Sequence, residues 1–442
     1  MKRFLGTGLI ILLLGTTSFA ETPEISSTKS EQAKTYTLAE LMDAALKNNP
    51  SLLASKRNIE AEEYRVDIAK AERLPVINLN GGVTHSRYPQ AVTPISGSPL
   101  TTKFPEFDET IYDVSVSLSL PLYRGGRIER GITIAEIRKD AAKDTFSKNR
   151  QELVYNIRSV FYKISHLEKL RESTEAEVKQ LQEHRNNVEL SVNTGTAPRV
   201  DLLKTDVELS HARQNALLIK NSIESAYEFL KTLVGFEDDS RLKIAGEERQ
   251  ADLRQRLDES ISIALAQRPD YKAIQKKKKI AEQSVLVAQG RRHPQVSLNS
   301  EYGERSGADL GFNENWAVGL RFTLPLFDGG LIKSEIEKER KAAEITKEEE
   351  RALRNQIIRE VKEAYLNIEN SNERIAAAST TIDAAKENLR IENLKYRTGT
   401  GTSTDVIDAQ AGLLRAESEY YQAVFDKEAA LSLLKKAIGE DQ

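Results

Sequence analysis

Asp405 and Asp408 are the side chains of this chain best placed to act as a pair. They follow the turn Tyr396-Arg-Thr-Gly-Thr-Gly-Thr-Ser-Thr404, and three positions apart on a helix they share one face. Two carboxylates presented together attract cations. An earlier turn, Asn193-Thr-Gly-Thr-Ala-Pro-Arg-Val-Asp201, carries one acid in the matching place. Acids in a first helical turn also favour the positive end of the helix dipole, by well under ~1 kcal/mol when exposed. Capping therefore accounts in part for Asp201 and Asp405, but not for Asp408. Gly195 and Gly399 suit a left-handed or close-approach position where one helix ends, and Pro198 suits the first turn of the next.

Other chemistry has little to work with. His85, His166, His184, His211 and His293 lie far apart, without metal-ligand spacing. The pairs Gly125-Gly126 and Gly329-Gly330 lack the Lys-Ser/Thr of a phosphate loop; each ends a strand and lets the chain turn into a helix. The run Lys276 to Lys279 reads as a solvated helix face. No enzyme activity and no cofactor or metal is expected. The net charge of -3 argues against nucleic acid as a partner, and the absence of cysteine excludes disulfides and thiol chemistry.

The elements that must position these residues are built twice. Leu120-Pro121-Leu122-Tyr123-x-Gly125-Gly126 matches Leu324-Pro325-Leu326-Phe327-x-Gly329-Gly330 at an offset of 204 residues, as do Thr194-Gly195-Thr196 with Thr398-Gly399-Thr400 and Gly235 with Gly439. Upstream the offset is 219, which leaves 15 extra residues in the first copy, between about Asn80 and Val114. That insertion holds Pro89, Pro94, Gly97, Pro99 and Pro105, the composition of an exposed loop. Each unit reads as helix, strand, loop, strand, very long helix, break, shorter helix.

Even positions from Val114 to Leu122 and from Trp316 to Leu326 are apolar, and Ile77, Leu79 and Val83 face Val296, Leu298 and Tyr302 in the same rhythm. Period two puts an apolar and a polar face on each strand. The polar faces are mostly Ser, Asn, Gly and Thr, as in Ser115, Ser117, Ser119 and Asn299, and each strand runs about ten residues, enough to cross a bilayer when tilted. Between Gly126 and Gly195, and between Gly330 and Gly399, only Gly131 interrupts, so each stretch makes a rod of about 100 Å. Apolar residues step along it by three and four, a coiled-coil-like seam. Lys2 and Arg3 before the apolar Leu9 to Leu14, then Ser18-Phe19-Ala20, read as a signal peptide over 1–20. The domains expected after it are a first repeat over 21–235, a linker over 236–255 and a second repeat over 256–442.

The signal peptide, the duplicated unit, the Leu-Pro-Leu-Tyr/Phe-x-Gly-Gly strand ends, the long helices and the Tyr-x-x-Gly…Asp-Val-Ile-Asp-Ala turn together resemble the TolC-type outer-membrane efflux proteins. The resemblance implies a mixed α/β membrane protein: four strands per protomer join those of two others in a homotrimeric 12-stranded outer-membrane β-barrel, continued by an α-helical coiled-coil periplasmic tunnel. It implies a passive exit duct for a tripartite efflux pump or type I secretion system. Its partners would be outer-membrane lipid, a periplasmic membrane-fusion adaptor docking at the turns around Gly195, Gly399 and Arg199, and an inner-membrane transporter of RND, ABC or MFS type. It implies a closed aperture in which Tyr396 meets Asp201 and Asp405 and Asp408 form carboxylate rings. The chain departs from that pattern at Gly401, where the family's best-known member has an arginine, and at Val200, where it has a threonine; Arg199 is the nearby substitute. A periplasmic coiled-coil structural or adaptor protein is the alternative, and the bilayer-length strands speak against it.

Overall fold

In the computed structural model the described residues are 34–96, 104–236, 242–246 and 256–440. The expected signal peptide and most of the expected linker lie outside them. Two short helices, α1 (Leu38–Asn48) and α2 (Pro50–Ala71), lead into a hairpin of β2 (Val76–Ala91) and β3 (Phe107–Tyr123). The 67-residue α3 (Arg127–Asn193) and the 36-residue α4 (Arg199–Val234) follow. The same order returns as α5 (Leu257–Gln267), α6 (Pro269–Gly290), β5 (Gln295–Ser306), β6 (Asn313–Thr323), α7 (Leu331–Arg397) and α8 (Ser403–Ile438), and α7 and α8 again have 67 and 36 residues. A parallel pair, β1 (Lys34–Tyr36) with β4 (Leu242–Ile244), ties the start of the described chain to the region between the halves.

Two local differences from expectation have clear causes. The single helix expected before each hairpin is two helices, because Pro50 cannot continue a helix and Asn49 before it is extended; Asn49 instead caps α2 by accepting from the Leu52 N–H at 2.9 Å. The first hairpin is also longer than expected, at 16 and 17 residues, so that Pro89 sits in β2 rather than in a loop. β2 is an edge strand, and Pro89 falls in its irregular stretch between His85 and Gln90, where no ladder bond is lost.

The four long strands form one antiparallel sheet, in the order β2-β3-β5-β6. Pairings such as Leu79 with Val116, Leu120 with Leu298, and Leu298 with Leu320 put the apolar residues on one face. At the sheet's end each chain turns into its long helix through glycines that hold left-handed backbone, Gly125 at φ 67° and Gly126 at φ 73°. A side chain at Gly125 has no room: its Cβ would stand 2.1 Å from the Gly290 carbonyl oxygen at the end of α6.

The helical core lies midway along the rods. Phe161, Ile157 and Ile164 of α3 pack with Leu41 of α1 and Leu230 and Val234 of α4, and Ile357 and Val361 of α7 pack with Ala264 of α5 and Leu434 of α8. On α8 every seventh residue is a buried alanine, Ala409, Ala416, Ala423, Ala430 and Ala437. A heptad of the smallest side chain lets neighbouring backbones approach closely along a left-handed supercoil. The lysine run of α6 is not simply solvated. Lys276 pairs with Asp144 of α3 at 2.6 Å, and Lys277 and Lys278 pair with Glu349 and Glu350 of α7 at 2.6 and 2.9 Å, so α6 is pinned between the two rods.

Candidate functional site

Each rod ends in the same turn. Gly195 and Gly399 both hold φ 75°, and a Cβ at either would meet nothing, so glycine is required there for conformation rather than space. The Thr196 and Thr400 amides donate back to the Ser191 and Lys395 carbonyls, at 2.8 and 2.9 Å, closing the exposed ends of α3 and α7. Gly195, Gly399 and the neighbouring Arg199 are exposed at this tip. Pro198 precedes the first helical residue of α4 and occupies the N-cap.

Gly401 has the opposite requirement. A Cβ there would lie 2.8 Å from the Lys395 Cβ and 3.2 Å from the Tyr396 nitrogen, so any side chain would force this turn away from the end of α7. The turn thus has no place for an arginine at 401.

Asp405 closes a capping box at the start of α8. Its carboxylate accepts from the Thr402 amide at 2.9 Å and the Thr402 hydroxyl at 2.6 Å, and its own amide donates to that hydroxyl at 3.1 Å. These bonds, with Lys395 nearby, hold the carboxyl below the usual carboxylate range. Asp405 and Asp408 are both exposed, one turn apart on α8. Capping explains the position of Asp405 and leaves that of Asp408 unexplained.

Tyr396 and Asp201 come into the same locality, but the expected contact is not made: the Tyr396 hydroxyl is buried and no hydrogen bond joins it to Asp201. Burial raises the Tyr396 phenol, and Ser191 and Asp201 are the polar groups that act on it. Between them stands His184, a residue whose sequence context carried no ligand signal. Its ring meets Tyr396 edge-on with centroids 4.9 Å apart, and its Nε2 is 2.8 Å from the Ser403 hydroxyl. Thr205 Oγ1 lies 3.4 Å from the same hydroxyl and donates to the Asp201 carbonyl at 2.8 Å. His184, Ser403 and Thr205 are all buried. The comparison of copies offered one signal for this cluster: at the offset of 204, His184 aligns with Asn388 and Ser403 with Arg199.

At the far end, the sheet leaves its apolar face uncovered. Leu79, Trp316 and Leu320 are 78%, 67% and 69% exposed, with Ile77, Val83, Val318 and Phe322 similarly bare. The opposite face is a polar network in which Asn80 donates to Ser117 at 3.1 Å, Ser119 to Asn299 at 3.1 Å, and Arg305 pairs with Asp113 at 2.6 Å. No helix among the described residues is long and apolar enough to cross a membrane, and none of their acidic and histidine side chains form a metal-binding group.

Comparison with known proteins supplies the context. The family model for outer membrane efflux proteins matches residues 41–236 and 260–440. The outer membrane protein TolC of Vibrio cholerae is 23% identical over 416 residues, covering 91% of this chain and 90% of its own. The solvent efflux pump outer membrane protein SrpC of Pseudomonas putida is 22% identical over 413 residues, covering 91% and 85%. Among solved structures, the Campylobacter jejuni CmeC outer membrane channel superposes with a TM-score of 0.80 at 16% identity, over 96% of this chain and 94% of that one. The Vibrio cholerae outer membrane protein VceC gives 0.77 at 19% identity, over 91% and 96%.

Proposed function

The chain belongs to the outer membrane efflux protein family, and from that premise we propose that it is the passive outer-membrane exit duct of a tripartite efflux or type I secretion system. It works as a homotrimer recruited by a periplasmic adaptor and an inner-membrane transporter. The uncovered sheet carries this reading. Four strands with one apolar face exposed and one small-polar face cannot be stable alone in lipid, because β2 and β6 present open edges. Three copies joined β6 to β2 close a twelve-stranded barrel with lipid outside and Ser115, Ser117, Ser119 and Asn299 lining a wet lumen.

The tandem units then give six hairpins and six rod pairs around one axis. The repeat boundaries 21–235 and 256–442 belong to this reading, with 236–255 linking the two units. The rods form the periplasmic tunnel, and their tips, with Gly195, Gly399 and Arg199, are the surface that meets the adaptor. Asp405 and Asp408 from three copies set six carboxylates at the inner aperture, where they favour cations. Tyr396 and Asp201 lie near one another at the closed aperture, and contact with partners shifts the equilibrium toward an open one. Among the described residues nothing offers a nucleotide site, so the transporter supplies the energy and the choice of substrate.

Cell fractionation followed by crosslinking tests the proposal. The full chain is expected in the outer-membrane fraction as a trimer that opens ion-conducting pores in planar bilayers. Recovery in a soluble periplasmic extract, the behaviour of the coiled-coil adaptor alternative, refutes it.

A further inference from the structure

His184 lies where the two halves of the chain meet near the tips. Its ring, on α3, touches α7 through Tyr396, and it shares a hydrogen bond with Ser403, the first helical residue of α8. One helical face further up α3, His166 repeats the arrangement. Eighteen residues are five full turns, so both rings project from the same side. His166 stacks against Phe425 of α8 with centroids 5.7 Å apart, and its Nδ1 is buried without a partner. At the offset of 204 both histidines align with asparagines, Asn370 and Asn388. These two titratable rings on α3 therefore have no counterpart on α7.

We infer that His184, seconded by His166, is an acid-sensitive latch between the α3–α4 and α7–α8 hairpins, closed when the rings are neutral and released when they are protonated. The opening to which the latch is coupled rests on the channel reading above.

The groups facing His184 set the direction. From α4 the Asp201 carboxylate favours the charged ring, as does the Ser403 backbone of α8, but burial outweighs both and holds His184 below its ordinary value. From α7 comes the Tyr396 phenol, itself pushed up and so neutral throughout. Asp405 of α8 is engaged with Thr402, and Arg185 beside His184 is engaged with Asp206 and Glu189. Ser403 opens α8, so an imidazolium here would sit at the positive end of a helix dipole. His166 is likewise lowered by burial, opposed by the Tyr421 backbone and Asp426 of α8. A ring that is neutral when buried and protonates when hydrated favours the closed seam above its ordinary value of about 6.5, and that preference is lost as the pH falls below it. Glu177 titrates nearby, at about 7, but it faces Glu208 on α4 and becomes neutral on acidification, which tightens rather than loosens its contact.

The sequence contains no cysteine, so Asn187→Cys on α3 and Thr404→Cys on α8, both exposed, admit a spin-label pair across the seam of the full-length protein. Between pH 7.5 and 5.5 the separated population is expected to grow about tenfold, with His184→Gln abolishing most of the change and Glu177→Gln leaving it intact. A distance distribution that ignores pH, or that responds equally in His184→Gln, overturns the latch. Bilayer conductance is read in parallel: a pH-dependent distance without any conductance upholds the latch and sinks the channel reading. A conducting pore with a pH-blind seam does the reverse.

Discussion

Two of the strand-to-helix glycines, Gly125 and Gly329, separate the lone protomer from the trimer. Gly125 and Gly329 hold nearly the same backbone, at φ 67° and 65°. Alanine at either position costs about 1–2 kcal/mol for left-handed backbone alone. At Gly125 the new Cβ also stands 2.1 Å from the Gly290 carbonyl oxygen and 3.0 Å from the His293 Cβ. The first is a backbone atom that no rotamer change can move, and overpacking of this kind adds about 1–3 kcal/mol. At Gly329 a Cβ would meet nothing within 4 Å, so in an isolated chain only the conformational cost applies. In the proposed trimer that space is filled. At the offset of 219, Gly290 aligns with Ala71, the last residue of α2, so the end of a neighbour's α2 should stand over Gly329 as the end of α6 stands over Gly125. The expectation is that Gly125→Ala and Gly329→Ala destabilise the assembled protein equally, by about 2–5 kcal/mol each. Thermal unfolding of detergent-purified trimer, followed by helix circular dichroism, reads this as two similar downward shifts. A mild Gly329→Ala beside a severe Gly125→Ala would refute the pseudo-symmetric neighbour, and a mild Gly125→Ala would refute the contact with Gly290.

Replacing Asp405 and Asp408 together by Asn should abolish most cation selectivity in planar bilayers, while the amide at 405 keeps the cap with Thr402. Crowded carboxylates raise one another's affinity for protons, so wild-type selectivity should fade as acid neutralises the ring; selectivity indifferent to acidification would argue against it. Glu177 is pushed up to about 7 by burial and by Glu208, so its ionisation destabilises the α3–α4 contact as the pH rises from about 4.5 through 7. Glu177→Gln should therefore stabilise the protein at pH 8 by about 1–2 kcal/mol, after allowance for solvent, and do nothing at pH 4, as denaturant midpoints at the two pH values would reveal. Phe161, fully buried between α1, α3 and α4, should cost about 3–5 kcal/mol when truncated to Ala, visible as loss of assembled protein on heating.

The elements were legible wherever a property is local. Period-two strands, three-and-four stepping along 67 residues, and glycines at left-handed turns follow from the backbone and its nearest neighbours, so the sequence places α3, α7, β3, β6 and the turns at Gly195 and Gly399. Pro89 reads as a loop residue in the sequence because its place in β2 depends on that strand being an edge, which is a fact about its neighbours. Lys276 to Lys278 read as solvated in the sequence because the acids that neutralise them, Asp144, Glu349 and Glu350, arrive from other helices.

At the candidate gate the same division holds. The cap at Asp405 is legible in the sequence, since Thr402 lies three residues away. The pocket around His184 was invisible, since its partners Tyr396 and Ser403 are more than two hundred residues distant and meet it only when the two hairpins pack side by side. Likewise, the need for glycine at 401 comes from the turn pressing against Lys395 and Tyr396. By itself the sequence determined what is built, twice over, because periodicity and turn chemistry act over a few residues. Which side chains become buried against one another, and so which of them change their chemistry, was decided only by tertiary packing, because burial belongs to surfaces that come together and not to the residues that carry them.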